Sequence, residues 1–203
     1  MAEHGVIDTN LFSFHLVSED RDNAVSFVDF GPIQDNHIRD PNEMIWIDVY
    51  DHMFWMNYET YGIRFGDNND NAYTFDPKRN FLTVFDSGTS TIYVPFSLWS
   101  NFINQFKSYS GIRFGTKGQF YTYRCKPEVM PILYLLVDGY WLELRPEDYL
   151  LDASDNGDGS VCIFSFTQNS DEFWLLGDVF YRGYYVTHDD TNAKIGLAPS
   201  SIS

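Results

Sequence analysis

Hydrophobic residues along this chain occur mostly in short runs that are interrupted by Gly, Asn and Asp. Such runs, with partial alternation of apolar and polar positions, are typical of β-strands. The pattern predicts strands at 11–16 and 25–31, joined by a charged turn at 19–23. The segments 44–50 and 54–66 are predicted to be hairpin components, so the first third of the chain favours antiparallel β-structure.

The same pattern continues to the end of the chain. The run FLTVF at 81–85 reads as a buried strand that stops at Asp86. Further strands are predicted at FYTYRC, at ILYLLVDGYWLEL with a turn at Asp138–Gly139, at VCIFSF, at FWLLG and at YYVTHDDTNAKIGLAP. No repeat, linker or low-complexity segment divides the chain. The sequence therefore predicts one compact, mainly β unit.

One segment has the spacing of a helix instead. After Pro95, five apolar residues fall on one helical face: Leu98, Trp99, Phe102, Ile103 and Phe106. Apolar residues three and four positions apart line one side of a helix. Ser97 is placed to cap the start of this helix, because a serine side chain can accept a hydrogen bond from the first free N–H groups. A few short helices are therefore expected beside the strands.

Composition supports this picture and excludes some functions. The 203 residues include 18 Phe and 14 Tyr, which favour strands. The net charge of −16 comes from 29 acidic and 13 basic residues, and the basic residues are scattered, so nucleic-acid binding is not expected. Such an acidic surface is compatible with work at low pH. No run of about 18 apolar residues occurs, so no membrane span is predicted.

The N-terminus and the cysteines each leave two interpretations open. Residues 1–10 lack the basic start and apolar centre of a signal peptide. Either the mature protein is cytosolic, or Met1 is not the true beginning of the polypeptide. Cys125 and Cys162 could form one disulfide or remain two unrelated buried thiols.

No metal site or cofactor is predicted. The histidines show no ligand spacing such as i, i+4; they are His4, His15, His37, His52 and His188. The segment 152–160 has oxygen side chains near the spacing of an EF-hand. Its twelfth position is Ile163 rather than Glu, however, and predicted strands flank it, which favours a plain polar turn.

Two motifs carry candidate chemistry. The first, Asp86-Ser87-Gly88-Thr89-Ser90, directly follows an apolar strand. Alone, Asp-Ser-Gly is a common turn. The second is a downstream apolar strand that ends at Gly177 and is followed by Asp178, the run VFYRGYY, an acidic turn and Ile195-Gly196-Leu197-Ala198-Pro199.

In this order, the two motifs resemble the second catalytic motif and the C-terminal pattern of the pepsin-like aspartic proteases. Other segments are similar to the family as well: 5–8 and 12–14 to the strand that crosses from the first lobe, Phe54-Trp55 to an aromatic pair before the catalytic loop, and 146–149 to a Pro-rich turn. The resemblance implies that residues 1–203 form the C-terminal lobe of the bilobal fold. Residues 1–31 would then include the inter-lobe crossing strands.

The resemblance also implies roles for individual residues. Asp86 would be a catalytic carboxylate, held by a tight loop in which Gly88 allows a close backbone approach and Thr89 bonds the carboxylate. Loop support is expected from Ser87, with its side chain turned inward, and from Ser90, Leu175, Leu176 and Gly177. Asp178 is expected to be the N-cap of the next helix. Cys125 and Cys162 would pair, which implies lysosomal, vacuolar or secreted residence.

In this family, two carboxylates share one proton and one water to hydrolyse a peptide bond. The chain has a single Asp-Ser-Gly motif and no flap motif, so its expected partner is an N-terminal protease lobe, in cis in a longer chain or in trans, acting on a peptide or protein substrate. A fragment of a two-lobe enzyme is the most economical interpretation. The others are a separate chain that pairs with such a lobe, a homodimer in which two copies of Asp86 meet, and a non-catalytic peptide-binding or inhibitory lobe.

Overall fold

The fold is mainly β, as predicted. The computed structural model describes residues 4–17, 25–50, 55–66, 72–74, 79–110, 120–123, 125–154 and 157–201. These residues contain sixteen strands, arranged in three sheets, and three α-helices. The predicted charged turn at 19–23 lies outside the described residues.

The first sheet joins the two ends of the described chain. Its five antiparallel strands have the order β2-β1-β15-β16-β3. Their bounds are β1 Leu11–His15, β2 Phe27–Phe30, β3 Ile45–Asp48, β15 Tyr184–Asp189 and β16 Lys194–Pro199. All six residues of β15 are buried, so this strand forms the centre of the sheet.

The second sheet has eight strands and carries the Asp86 motif. Seven follow the order β10-β9-β4-β6-β14-β7-β13, and β5 pairs with β4. Their bounds are β4 Met56–Phe65, β5 Ala72–Thr74, β6 Phe81–Phe85, β7 Ile92–Val94, β9 Leu133–Val137, β10 Tyr140–Leu144, β13 Phe166–Gln168 and β14 Phe173–Leu176. Most neighbours are antiparallel, but two pairs are parallel: β6 with β14 in the middle of the sheet and β7 with β13 at its edge.

A small third sheet lies at the disulfide. It has the order β11-β12-β8, with bounds β8 Phe120–Tyr123, β11 Leu150–Asp152 and β12 Val161–Phe164. Cys162 on β12 is bonded to Cys125, which follows β8, with the two Cα atoms 5.2 Å apart. The predicted disulfide is therefore confirmed.

The predicted helix after Pro95 is present as α1, Phe96–Ser110. Its buried residues are Leu98, Phe102, Ile103 and Phe106. The predicted cap at Ser97 is wrong. The helix begins one residue earlier, and the N–H groups of Leu98 and Trp99 donate to the carbonyl of Pro95. The Ser97 hydroxyl instead donates to Glu172 at 2.7 Å.

Two shorter helices complete the list, α2 Pro146–Tyr149 and α3 Asp178–Gly183. Helix α3 follows β14. Because β14 is parallel to β6, the helix begins near the carboxyl end of β6, where the Asp86 motif lies. No helix in the described part of the chain is long and apolar enough to cross a membrane.

Of the two segments predicted to be hairpin components, 54–66 forms an antiparallel pair with the next strand, whereas 44–50 does not pair with a neighbour in sequence. Strand β3 pairs with β16 in the first sheet, whereas β4 pairs with β5, β6 and β9 in the second. Both segments are strands, but the long-range partner of β3 near the C-terminus replaces the local one. The predicted hairpins β9–β10 and β15–β16 are present.

Candidate active site

Asp86 follows β6, and its carboxylate is held on both oxygens. The Gly88 N–H donates to Oδ1 at 2.9 Å, and the Thr89 hydroxyl donates to Oδ2 at 2.7 Å. The Asp86 N–H donates to the carbonyl of Leu176 at 3.0 Å. Hydrogen bonds thus fix both the backbone and the side chain of Asp86, so the carboxylate has one orientation. The residue is half-buried where β6 ends.

The loop itself is a tight turn. The Thr89 N–H donates back to the Asp86 carbonyl at 3.2 Å, which closes the turn around Ser87 and Gly88. Ser87, Gly88 and Ser90 are exposed. Ser87 lines the same opening as Asp86, and its expected inward orientation stays a prediction.

Strand β14 lies beside this loop. It runs parallel to β6, with Leu175 opposite Val84 and Leu176 opposite Phe85. Leu176 is fully buried. The next residue is Gly177, where an added Cβ would lie 2.1 Å from the Thr89 carbonyl oxygen and 2.5 Å from that of Thr91. No side chain fits in that space, so glycine is required for the loop and the strand to touch.

Asp178 does not have its expected capping role. The N-cap residue of α3 is Gly177, and Asp178 is the first residue of the helix. Its N–H donates to the Thr89 carbonyl at 2.7 Å. The prediction failed because capping preference depends on residue type, whereas the close approach at Gly177 decides here where the helix begins.

The Asp178 carboxyl lies in an environment unlike that of Asp86. Its Oδ1 is buried and has no hydrogen-bond partner among the described residues. Burial raises the pKa of this carboxyl; the Arg182 guanidinium opposes the shift, and the negative charge of Asp86 adds to it. Removing a carboxylate from water disfavours its charged form.

A cavity of about 300 Å³ opens beside Asp86. Residues of both large sheets and of the loop line it: Phe12, Phe14, Trp55, Val84, Phe85, Asp86, Ser87 and His188. Asp86 is the one carboxylate among these lining residues. The wall is otherwise largely aromatic, so the cavity presents one oriented acid at the end of an apolar surface.

His188 is a lining residue that the sequence analysis did not identify. Its ring stacks on Phe12 at 4.6 Å, and its Nε2 lies 3.3 Å from the Tyr181 hydroxyl. Burial lowers the pKa of His188 to about 3, so the imidazole is neutral down to strongly acidic pH. No pattern in the sequence points to this position, because a single histidine near the end of an apolar strand has no distinctive spacing.

The candidate metal-binding groups of the sequence analysis are not assembled into a site in the described part of the chain. Among the described residues, no three His, Cys, Asp or Glu side chains are grouped as metal ligands. In the segment that resembles an EF-hand, Asp152 accepts the backbone N–H groups of Ser154 and Gly159. Phe54, the first member of the aromatic pair, lies outside the described residues, and Trp55 lines the cavity.

Comparison with known proteins gives a consistent result. The sequence profile named "Eukaryotic aspartyl protease" matches residues 1–200. Mouse gastricsin is 26% identical over 98% of this chain and 48% of its own length, and dog pepsin A is 26% identical with the same two coverages. The vacuolar aspartic protease of Candida albicans is 28% identical over 98% of this chain and 44% of its own length.

The chain thus spans about half the length of the curated relatives it matches. The profile match covers almost every residue, including the loop at Asp86 and the strand that ends at Gly177. With a pepsin-like arrangement of mainly β-sheets and one disulfide, this chain belongs to the eukaryotic aspartyl protease family.

Proposed function

We propose that this chain is the C-terminal lobe of an aspartic endopeptidase and that Asp86 is one of its two catalytic carboxylates. Residues 1–203 would form the lobe, and residues 1–31 would include the strands that cross from the other lobe. The proposal rests on the placement of Asp86, whose two oxygens accept hydrogen bonds from Gly88 and Thr89 at the mouth of an open cavity.

The chemistry follows from pairing Asp86 with a second carboxylate. Two carboxyl groups a few ångströms apart cannot both ionise easily, so they share one proton. The ionised member takes a proton from a water, which attacks the peptide carbonyl, and the protonated member donates to the carbonyl oxygen. The bonds from Gly88 and Thr89 would hold Asp86 in position for either role.

The second carboxylate would come from an N-terminal lobe, in the same polypeptide or in a separate chain. An exposed apolar surface supports such a partner. Strand β2 is the outer strand of the five-stranded sheet, and Phe27, Val28 and Phe30 are 45%, 48% and 55% exposed. Large exposed apolar patches mark sites of protein association. A complementary lobe would cover this strand and the cavity beside Asp86.

The proposed substrate is a peptide or protein, bound between the two lobes. The disulfide between Cys125 and Cys162 supports a lysosomal, vacuolar or secreted location, since disulfides persist in oxidising compartments. Two copies of this chain could also bring two Asp86 side chains together. The homodimer is the less favoured arrangement, because nothing in the described surface requires a second identical chain.

The proposal is tested by proteolysis at about pH 4, within the range set by a shared-proton carboxyl pair. The chain is incubated with a denatured protein, alone and mixed with the half of mouse gastricsin that the sequence match does not cover. We expect cleavage in the mixture that pepstatin, an inhibitor of aspartic proteases, blocks. Asp86→Asn should reduce the rate by at least about a thousandfold, because the variant keeps the shape of the side chain and loses the acid.

Asp35→Asn is the matched control, because Asp35 is an exposed carboxylate in another part of the chain. It should leave the rate unchanged. Cleavage that persists in Asp86→Asn would contradict the proposed catalytic role. Absence of cleavage together with pepstatin-competed binding of a peptide would support the alternative, a non-catalytic peptide-binding or inhibitory lobe. Cleavage by the chain alone would support the homodimer.

A further inference from the structure

A cluster of stacked rings includes Phe27 of the outer strand of the five-stranded sheet and does not line the cavity at Asp86. The ring of His37, at the end of the one-turn helix Asp35–His37, stacks on His15 of β1 at 4.7 Å and on Phe27 of β2 at 4.9 Å. The interplanar angles are 18° and 16°. Two imidazoles are thus in face-to-face contact where three segments of the chain meet.

Other polar groups complete the cluster. From β2, Asp29 places its Oδ2 at 2.9 Å from His37 Nδ1, and the same oxygen accepts the Tyr185 hydroxyl of β15 at 3.0 Å. That hydroxyl accepts the Gln34 N–H at 3.2 Å. Near the C-terminus, the Ser200 hydroxyl lies 3.5 Å from His15 Nδ1. The titratable groups around the stack are therefore two histidines, one aspartate and one tyrosine.

At acidic pH the cluster can gain two positive charges, on its two histidines, but it contains one carboxylate to offset them. The single carboxylate, Asp29, already contacts His37. His15 is 1% exposed, so a proton on its ring would be shielded from water and would face the positive charge of a protonated His37. Burial lowers the pKa of His15, the charge of His37 lowers it further, and Asp29 partly opposes both effects.

We propose that the cluster of His15, His37 and Phe27 is an acid-sensitive latch that holds β2 and the Asp35–His37 turn against β1. Above the usual histidine pKa of 6.5, His15 is neutral in both the closed and the open form, and the latch is intact. Below that value the open form takes up a proton more readily than the closed form. Each step in acidity then favours opening.

The latch controls the outer strand of the sheet. When it opens, β1 loses its neighbour and exposes backbone N–H and C=O groups that another strand could pair with. Acidification would therefore convert a covered edge of β1 into an available one. This inference is independent of proteolysis, because it concerns histidines that lie outside the cavity at Asp86.

Hydrogen exchange of the whole chain tests the latch between pH 7.5 and 5.0, a range that brackets the usual histidine pKa of 6.5. Protection factors, corrected for the intrinsic rate, are compared for residues 27–30 and 35–38 and for the β15–β16 hairpin. We expect protection of the first two segments to fall by up to about tenfold per pH unit below 6.5, the limit for one proton taken up on opening. The hairpin should change much less.

His15→Phe should remove this pH dependence, since phenylalanine keeps the stacked ring and cannot take a proton. His37→Tyr keeps His15 but removes the facing positive charge that lowers its pKa. The fall in protection should therefore be smaller and should level off at a higher pH. His4→Gln is the control, because His4 is exposed and lies outside the cluster; it should leave the profile unchanged.

Three results would overturn the latch: protection of residues 27–30 that is flat with pH, a His15→Phe profile equal to that of the unaltered chain, or a His37→Tyr profile equal to that of the unaltered chain. The last result decides the question if His15→Phe fails to fold.

Discussion

Asp86 and Asp178 both form hydrogen bonds with Thr89, but their surroundings differ sharply. The Asp86 carboxylate accepts two hydrogen bonds, and Asp86 lines the cavity. Asp178 has a buried oxygen without a partner among the described residues. Both are tied to Thr89, whose hydroxyl bonds Asp86 and whose carbonyl accepts the Asp178 N–H.

The comparison shows that two neighbouring carboxyl groups in one fold can differ in how they are held: one by hydrogen bonds, the other by burial alone. Hydrogen bonds to an ionised carboxylate fix its orientation and stabilise its charged form. Burial without such bonds favours the neutral form, as the raised pKa of Asp178 indicates. Substitutions at Thr89, Gly177 and Asp178 can therefore test the two environments separately.

Gly177→Ala should have the largest effect, because it breaks the contact that both acids share. The new methyl group would overlap the Thr89 carbonyl oxygen at 2.1 Å, so the loop and the start of α3 must move apart. Forcing extra volume into a packed position typically costs 1–3 kcal/mol and sometimes more, and backbone overlap lies at the upper end. We expect a loss of about 3 kcal/mol or more in the free energy of unfolding, measured in urea.

Gly139→Ala is the matched control for this variant. Gly139 has φ +80° in the β9–β10 turn, and nothing lies within 4 Å of an added Cβ. Its cost is that of the left-handed backbone alone, about 1–2 kcal/mol. Equal losses for the two variants would show that the close approach to Thr89 is unimportant.

Thr89→Val should have an intermediate effect on stability, and it should affect Asp86 rather than Asp178. Valine keeps the shape of threonine and removes the hydroxyl that donates to Asp86 Oδ2 at 2.7 Å. Hydrogen bonds to charged groups contribute about 1.5–3 kcal/mol, so we expect a loss of about 2 kcal/mol at pH 7 in urea unfolding.

Two further variants sharpen this measurement. Thr89→Ser retains a hydroxyl and should recover most of the loss. Thr91→Val removes a hydroxyl that makes only a long, uncharged contact of 3.4 Å with Thr167, so it should cost less. A Thr89→Val protein as stable as the unaltered chain would mean that the hydroxyl does not hold the carboxylate in solution.

Asp178→Asn should have the smallest effect, and its size should depend on pH. The folded pKa of Asp178 is raised above its usual value of 3.8, so the folded protein binds the proton more tightly than the unfolded chain. That contribution to stability is fully present below pH 3.8 and is lost as the pH rises through the folded pKa. The asparagine variant does not titrate and suffers no such loss.

The variant should therefore gain stability relative to the unaltered chain as the pH rises from 3.5 to 7. The gain should be less than about 1 kcal/mol, because the half-exposed carboxyl is screened by water. Urea unfolding at both pH values measures the difference. A relative stability that is constant with pH, or that falls as the pH rises, would show that burial does not dominate at Asp178.

Much of this fold could be predicted because it depends on local patterns. The runs at 81–85 and 173–176 are strands, the five apolar residues after Pro95 mark a helix, and the turn at Asp138–Gly139 joins a hairpin. In each case, the spacing of apolar residues and the turn chemistry agree with the final structure. Resemblance to known proteases supplied what spacing could not, above all the pairing of Cys125 with Cys162.

The remaining features depend on contacts between distant segments. Strand β3 pairs with β16 rather than with its neighbour in sequence, and the start of α3 is decided by the approach of Gly177 to Thr89. The stack of His15 on His37 needs both the β1–β2 pairing and the turn at 35–37. The spacing of apolar and polar residues does not indicate which distant segments come into contact.

The parallel pairing of β6 with β14 also has a consequence for synthesis of the protein. Asp86 leaves the ribosome long before Leu176, yet the Asp86 N–H has its partner on Leu176 and the loop rests on Gly177. Contacts between such distant residues form late, since the intervening chain must first be ordered. The nascent polypeptide therefore carries Asp86 without its backbone partner until Leu176 has been translated.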